Sequence, residues 1–159
     1  MSSTSVESRR VLAIVWTGLL LSLFAYLGIA WFVLRGRIVA ELSWVEWLRQ
    51  PIVAGLHLAG IAMLVASFFL PGMIMRSSRP DPPTISDPLP APSDPRISQA
   101  IIVRYALLES IAIFGFVIAL VTGNLVLMLP LWVVSAVAFL LAYPSENLLA
   151  TFESLADDR

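Results

Sequence analysis

Long apolar segments limit what this chain can fold into. Residues 11–34 and 51–75 contain no charged side chain, and about 20 apolar residues suffice for a helix to cross the hydrocarbon core of a bilayer. Only 13% of the residues are charged, against about 25% in an average soluble domain. The sequence therefore predicts an all-α integral membrane protein with four transmembrane helices, over residues 11–34, 51–75, 97–122 and 125–143.

Polar or interfacial segments separate these spans. Residues 38–50 combine apolar side chains at helical spacing with two tryptophans, which predicts a short helix on the membrane surface or, nearly as well, a tight loop. Residues 76–96 hold seven of the eleven prolines and predict an extended, solvated linker. The linker joins two pairs of spans, in residues 11–75 and 97–143, and polar or amphipathic tails occupy residues 1–10 and 144–159.

Arginine counts near the span ends predict the orientation, because cytoplasmic loops carry an excess of basic residues. Three arginines lie on one side and six on the other, so we expect both termini and the proline-rich linker to be cytoplasmic, with the protein in the plasma (inner) membrane. The smaller group comprises Arg35, Arg37 and Arg49, and the larger comprises Arg9, Arg10, Arg76, Arg79, Arg96 and Arg159.

Several classes of function have no support in the composition. The chain has no cysteine and one histidine, which excludes disulfides, thiolate chemistry and a multi-histidine metal site within one chain. The net charge of -1 gives no excess of basic residues of the kind that binds nucleic acid. The sequence contains no catalytic constellation or cofactor motif, so we expect neither an enzyme nor a bound cofactor.

One acid interrupts the third span, in the stretch "YALLESIAIFGFVIAL" at residues 105–120. Glu109 lies about 18 Å along this helix, near the middle of a core of about 30 Å. Placing a charge there costs at least about 2.5–3.5 kcal/mol, and desolvation favours the neutral acid. A carboxyl group that is protonated much of the time, and ionises when a cation or water approaches, suits proton or sodium transport. The alternative is a neutral acid that hydrogen-bonds within the protein and helps helices associate.

The same stretch resembles the carboxylate-bearing helix of the rotary ATP synthase subunit c. The similarity covers the aromatic-Ala-Leu-x-Glu-Ser run, the Ile-aromatic-Gly at residues 113–115 and the closing Ala119-Leu120, and it is limited to residues 105–120. The resemblance implies that Glu109 is an ion-binding carboxylate for a proton or sodium ion. It also implies a homo-oligomer or a larger complex in the lipid bilayer.

Six residues are candidates to support Glu109. Tyr105 and Ser110 offer nearby hydroxyl groups, whereas Ala62 and Met63 lie at a similar depth on the second span. Small side chains there would let the third span pack closely on the second, and the pairs Gly55/Ala59 and Gly115/Ala119 have the small-x-x-x-small spacing of close interfaces. The six candidates are Ala62, Met63, Arg104, Tyr105, Ser110 and Gly115.

Arg104 and His57 are the other unusual polar residues of the spans. Arg104 lies about 10 Å inside the third span and projects about 140° away from Glu109, so we favour a side chain that extends to the cytoplasmic interface over a direct pair. His57 differs from Glu109 in depth by roughly 9 Å. A hydrogen-bonded histidine near the outer interface is therefore favoured over a water-linked relay.

Two functions follow as hypotheses. The first is an ion-binding membrane subunit in which Glu109 takes up and releases a proton or sodium ion. The second is a non-transporting scaffold or assembly factor, in which Glu109 is a neutral helix–helix hydrogen bonder and the linker and tail recruit soluble partners.

Overall fold

The computed structural model describes residues 3–35, 49–77 and 95–145, and its described side chains are those of residues 10–35, 49–74 and 97–145. This part of the chain is helical and contains no strand. Three helices are long and apolar enough to cross a membrane, and a shorter apolar segment follows them. The helices are α1 (Ser3–Val33), α2 (Pro51–Ser77), α3 (Pro95–Thr122), a 3-10 helix (Leu125–Met128) and α4 (Leu129–Leu141).

The first three predicted spans agree with the helices to within a few residues, apart from the start of α1. This helix begins at Ser3, so most of the predicted tail at residues 1–10 is helical. The second helix continues through Pro71 and ends at Ser77. Most of the interfacial segment at 38–50, nearly all of the linker at 76–96 and nearly all of the tail at 144–159 lie outside the described residues.

The fourth predicted span is not one α-helix. Gly123 has a positive φ of 68°, and the Asn124 side chain accepts a hydrogen bond from the Val126 N–H at 3.0 Å, which starts the 3-10 helix. Pro130 lies in the first turn of α4, where its missing N–H costs nothing. The α-helical part therefore has 13 residues, and it ends before Pro144, since a residue preceding proline disfavours the helical conformation.

The central element is α3, which contacts all of the others. Ile111 lies beside Gly60 of α2 and Arg104 beside Phe68, so α2 and α3 run antiparallel. This packing confirms the prediction that the third span lies against the second. Successive helices alternate in direction. The first helix packs on the side of α3 that bears Glu109 and Phe116, and α4 packs on Tyr105 and Gly115.

Two tryptophans connect α1 with α4 reciprocally. The Trp16 Nε1–H donates to the Phe139 carbonyl at 2.8 Å, and the Trp132 Nε1–H donates to the Leu23 carbonyl at 2.8 Å. Each helix thus supplies one indole donor and one carbonyl acceptor. These bonds fix how far α1 is shifted along α4, and hence which α1 residues face the middle of α3.

The close approaches use different small residues from those predicted. Gly55 has open space where a Cβ would lie, whereas a Cβ on Gly60 would come within 2.9 Å of Leu131 Cδ2. On α3, Gly115 faces the Met128 carbonyl and Leu131 rather than α2. The prediction that Gly55 and Gly115 form the close α2–α3 interface was therefore wrong, because the small residues occur on several helix faces and their spacing does not show which face is turned inward.

Candidate functional site

Glu109 lies near the middle of α3 and is half-buried. Its Oε1 lies within hydrogen-bonding distance of the Ser22 hydroxyl, at 2.6 Å, and of the Tyr26 hydroxyl, at 2.9 Å. Both hydroxyl groups belong to α1. The site is therefore a contact between the middles of two helices that are more than 80 residues apart in the sequence.

Ser22 and Tyr26 face Glu109 together because residues four apart share one face of a helix. The Tyr26 ring packs on Phe116 of α3, with ring centroids 5.6 Å apart, which holds its hydroxyl group towards the carboxyl. The Ser22 hydroxyl is also 2.6 Å from the Leu19 carbonyl, one turn earlier on α1. Ring packing and the helix backbone thus position the two groups that bind Glu109.

The two hydroxyl groups expected to support Glu109 from α3 donate elsewhere. Tyr105 is fully buried, stacks on Phe139 and donates to the Ala142 carbonyl at 3.1 Å. Ser110 donates to the Ala106 carbonyl at 2.8 Å within its own helix. Neither serves as the hydrogen-bonding partner of Glu109, because α1 occupies that position.

The small-residue candidates lie apart from the hydrogen-bonded group. Ala62 is exposed on α2, Met63 is half-buried and packs against the main apolar core, and Gly115 is buried against Met128 and Leu131. Their arrangement serves helix packing. It supplies no polar group to the carboxyl.

The first helix was not predicted as the source of partners for Glu109. A usable signal was present, because Ser22 and Tyr26 form a polar pair at i, i+4 in an apolar run. Ser22 also lies twelve residues after Arg10, as Glu109 lies twelve residues after Ile97, so the two are at matching depth in parallel helices. Whether Ser22 and Glu109 come into contact at that depth depends on the direction and neighbours of the first helix.

Arg104 is directed to the opposite side of α3. Its guanidinium carbon lies 5.7 Å from the centre of the Phe68 ring on α2, within the range of a cation–π contact. Its Nε is buried and has no hydrogen-bond partner among the described residues. Glu109 is the only carboxylate whose side chain the structure describes, and it faces α1, so the two charges do not pair.

His57 bonds to its own helix. Its Nδ1 lies 2.9 Å from the Val53 carbonyl, and because a carbonyl only accepts, Nδ1 carries the hydrogen. This agrees with the prediction of a hydrogen-bonded histidine, whereas its position near the outer interface stays a prediction. Within the described residues, no three histidine, cysteine or acidic side chains gather as metal ligands.

Removal of the Glu109 carboxyl group tests how much the contact contributes to folding. We expect Glu109→Ala to lower the free energy of unfolding by about 1–2 kcal/mol, because interhelical hydrogen bonds in membrane proteins average about 0.6 kcal/mol each and two are lost. Glu109→Gln keeps an oxygen acceptor and should cost less than about 1 kcal/mol. Unfolding of both variants by a denaturing detergent, followed by circular dichroism, measures the difference. Equal losses would show that the hydrogen bonds do not stabilise the contact.

The site can bind a proton on an oxygen atom surrounded by two hydroxyl groups, at the middle of an apolar helix. The functional assignment of this site depends on the geometry of its residues. No protein-family model matches the sequence, and neither a curated protein nor a solved structure is detectably similar to it.

Proposed function

We propose that this protein is a four-span integral membrane protein in which Glu109 binds and releases a proton or sodium ion within the bilayer. The observation that carries the proposal is a half-buried carboxyl group at mid-helix that is hydrogen-bonded to two hydroxyl groups of a second helix. Ionisable residues inside membrane spans are rare and are usually functional. The local resemblance of residues 105–120 to subunit c supports the same role.

The dimensions of the helices support four spans. The segment Leu125–Leu141 has four residues in a 3-10 helix and 13 in an α-helix, which extend about 27 Å together. This is close to the hydrocarbon thickness of about 30 Å. Large apolar side chains also point outward on the helices, as a lipid-facing surface requires: Phe32 is 75% exposed, Leu58 67% and Leu141 77%.

The orientation and assembly follow from the same proposal. The arginine distribution supports cytoplasmic termini in a plasma (inner) membrane. The resemblance to subunit c suggests copies of this chain in a ring, or a larger transport complex. Glu109 would then exchange its ion through the partly exposed side of the α1–α3 contact.

A scaffold or assembly factor is the second candidate. It is favoured by the fact that both hydrogen-bonding partners of Glu109 come from the same chain, so the carboxyl group already has a complete role in joining α1 to α3. In that case, the proline-rich linker and the tail would bind soluble partners, and no ion would cross.

Ion flux through reconstituted vesicles separates the two candidates. We expect Glu109→Gln to reduce proton or sodium flux to the level of empty vesicles, because the amide does not ionise but can still hydrogen-bond to α1. Ser110→Gln, on the same helix, is the control that adds a similar side chain without removing the acid. Wild-type flux in the Glu109→Gln variant would refute ion transport through this residue.

A further inference from the structure

Three short oxygen–oxygen contacts form a chain between α1 and α3. The Leu19 carbonyl is 2.6 Å from Ser22 Oγ, Ser22 Oγ is 2.6 Å from Glu109 Oε1, and Glu109 Oε1 is 2.9 Å from Tyr26 Oη. Each distance is typical of an O–H···O hydrogen bond. Because both Ser22 contacts are as short as 2.6 Å, a single hydrogen shared between them would be far from linear with its acceptors, so each contact is assigned a hydrogen of its own.

Counting hydrogens assigns the protonation of the acid. A serine or tyrosine hydroxyl carries one hydrogen, and a backbone carbonyl carries none. Ser22 and Tyr26 thus supply two hydrogens for three contacts. The third can come only from the carboxyl group of Glu109.

We infer that Glu109 is protonated on Oε1 in this conformation, and that Ser22 is the positioning residue that accepts this proton's hydrogen bond. The directions are then unique: Tyr26 donates to Glu109, Glu109 donates to Ser22, and Ser22 donates to the Leu19 carbonyl. This proton assignment depends on the proposed function in one respect only: Glu109 must also release the proton.

Release of the proton requires Ser22 to turn. The O–H bond of Glu109 breaks, its electron pair stays on Oε1, and the proton passes to a water molecule as hydronium. Ser22 Oγ then faces a carboxylate, so its hydrogen rotates from the Leu19 carbonyl to Oε1, where the bond to a charged acceptor is stronger. The Leu19 carbonyl keeps its helical bond to the Leu23 N–H, so α1 is not disrupted.

No other described charge competes for this proton. On α1, Tyr26 is the titratable group in contact. On α2, His57 bonds to Val53, and α4 contains no titratable side chain. On α3 itself, Arg104 faces Phe68 and Tyr105 bonds to Ala142.

Infrared difference spectroscopy of the full chain in lipid vesicles tests the inference. At neutral pH, the spectrum of the wild type minus that of Glu109→Gln should contain the C=O band of a protonated carboxyl group. Ser22→Ala should shift this band to higher frequency, because the acid loses its hydrogen-bond acceptor. Ser22→Thr should restore the wild-type position, since a threonine hydroxyl can also bond to the preceding turn. Tyr26→Phe removes only a bond that the acid accepts, so this variant is expected to shift the band less than Ser22→Ala does.

Two results would overturn the inference: carboxylate bands without a protonated-carboxyl band in the wild type, or an unchanged band in Ser22→Ala. Failure of this proton assignment can be distinguished from failure of the transport proposal. If Glu109→Gln leaves ion flux unchanged while Ser22→Ala moves the band, the placement of the proton is supported and transport through Glu109 is refuted.

Discussion

Replacing Phe139 by alanine is expected to lower the free energy of unfolding by about 3 kcal/mol. Phe139 has no exposed surface, and its ring stacks on Tyr105 with centroids 5.9 Å apart. Truncation leaves a cavity between α3 and α4, and Phe→Ala changes in buried cores cost about 3–5 kcal/mol in water. We expect a value at the lower end of this range. Lipid tails are as apolar as the protein core, so in a membrane only the loss of packing contacts contributes.

Phe69→Ala is the matched control, since Phe69 is 67% exposed on α2 and its truncation leaves no internal cavity. We expect a change below about 0.5 kcal/mol there. Detergent-induced unfolding in mixed micelles, followed by circular dichroism, gives both values. Similar losses for the two variants would mean that Phe139 does not pack in the interior. Phe139→Leu, which refills part of the cavity, should recover part of the stability.

Gly115 is the position at which an added side chain should do most damage. A Cβ there would lie 3.0 Å from the Met128 carbonyl oxygen and 3.2 Å from Leu131 Cβ. One of these atoms is backbone, so α3 and the start of α4 must move apart to accommodate alanine. Overpacking of this kind costs about 1–3 kcal/mol, against a gain in helix propensity of about 1 kcal/mol. We expect a net loss for Gly115→Ala and a larger one for Gly115→Val.

Gly55→Ala provides the comparison, because nothing lies within 4 Å of the position that a Cβ would take there. That variant should be neutral or more stable by up to about 1 kcal/mol. Gly60→Ala should fall between the two, since its close neighbour is the flexible end of Leu131. The same unfolding measurement ranks the three glycines. If Gly115→Ala is as stable as Gly55→Ala, the two helices are not in close contact at Gly115.

The hydrogen-bond partners of Glu109 were not predicted from the sequence. The acid itself is evident, because one carboxyl group in a long apolar run is costly wherever the helix lies. Tyr105 and Ser110 were the natural candidates for partners because they are its neighbours in sequence. Both turned out to bond elsewhere, and Ser22 and Tyr26 take their place.

The sequence by itself determined the three long helices and the position of the acid within one of them. Apolar length and proline placement act locally, and they therefore appear in the order of the residues. Only the tertiary structure decided which face of each helix turns inward, that α1 supplies the partners of Glu109, and that Arg104 lies against Phe68 of α2. Those features depend on the rotation and relative shift of whole helices, which are set by many contacts between distant residues, such as the two indole bonds between α1 and α4.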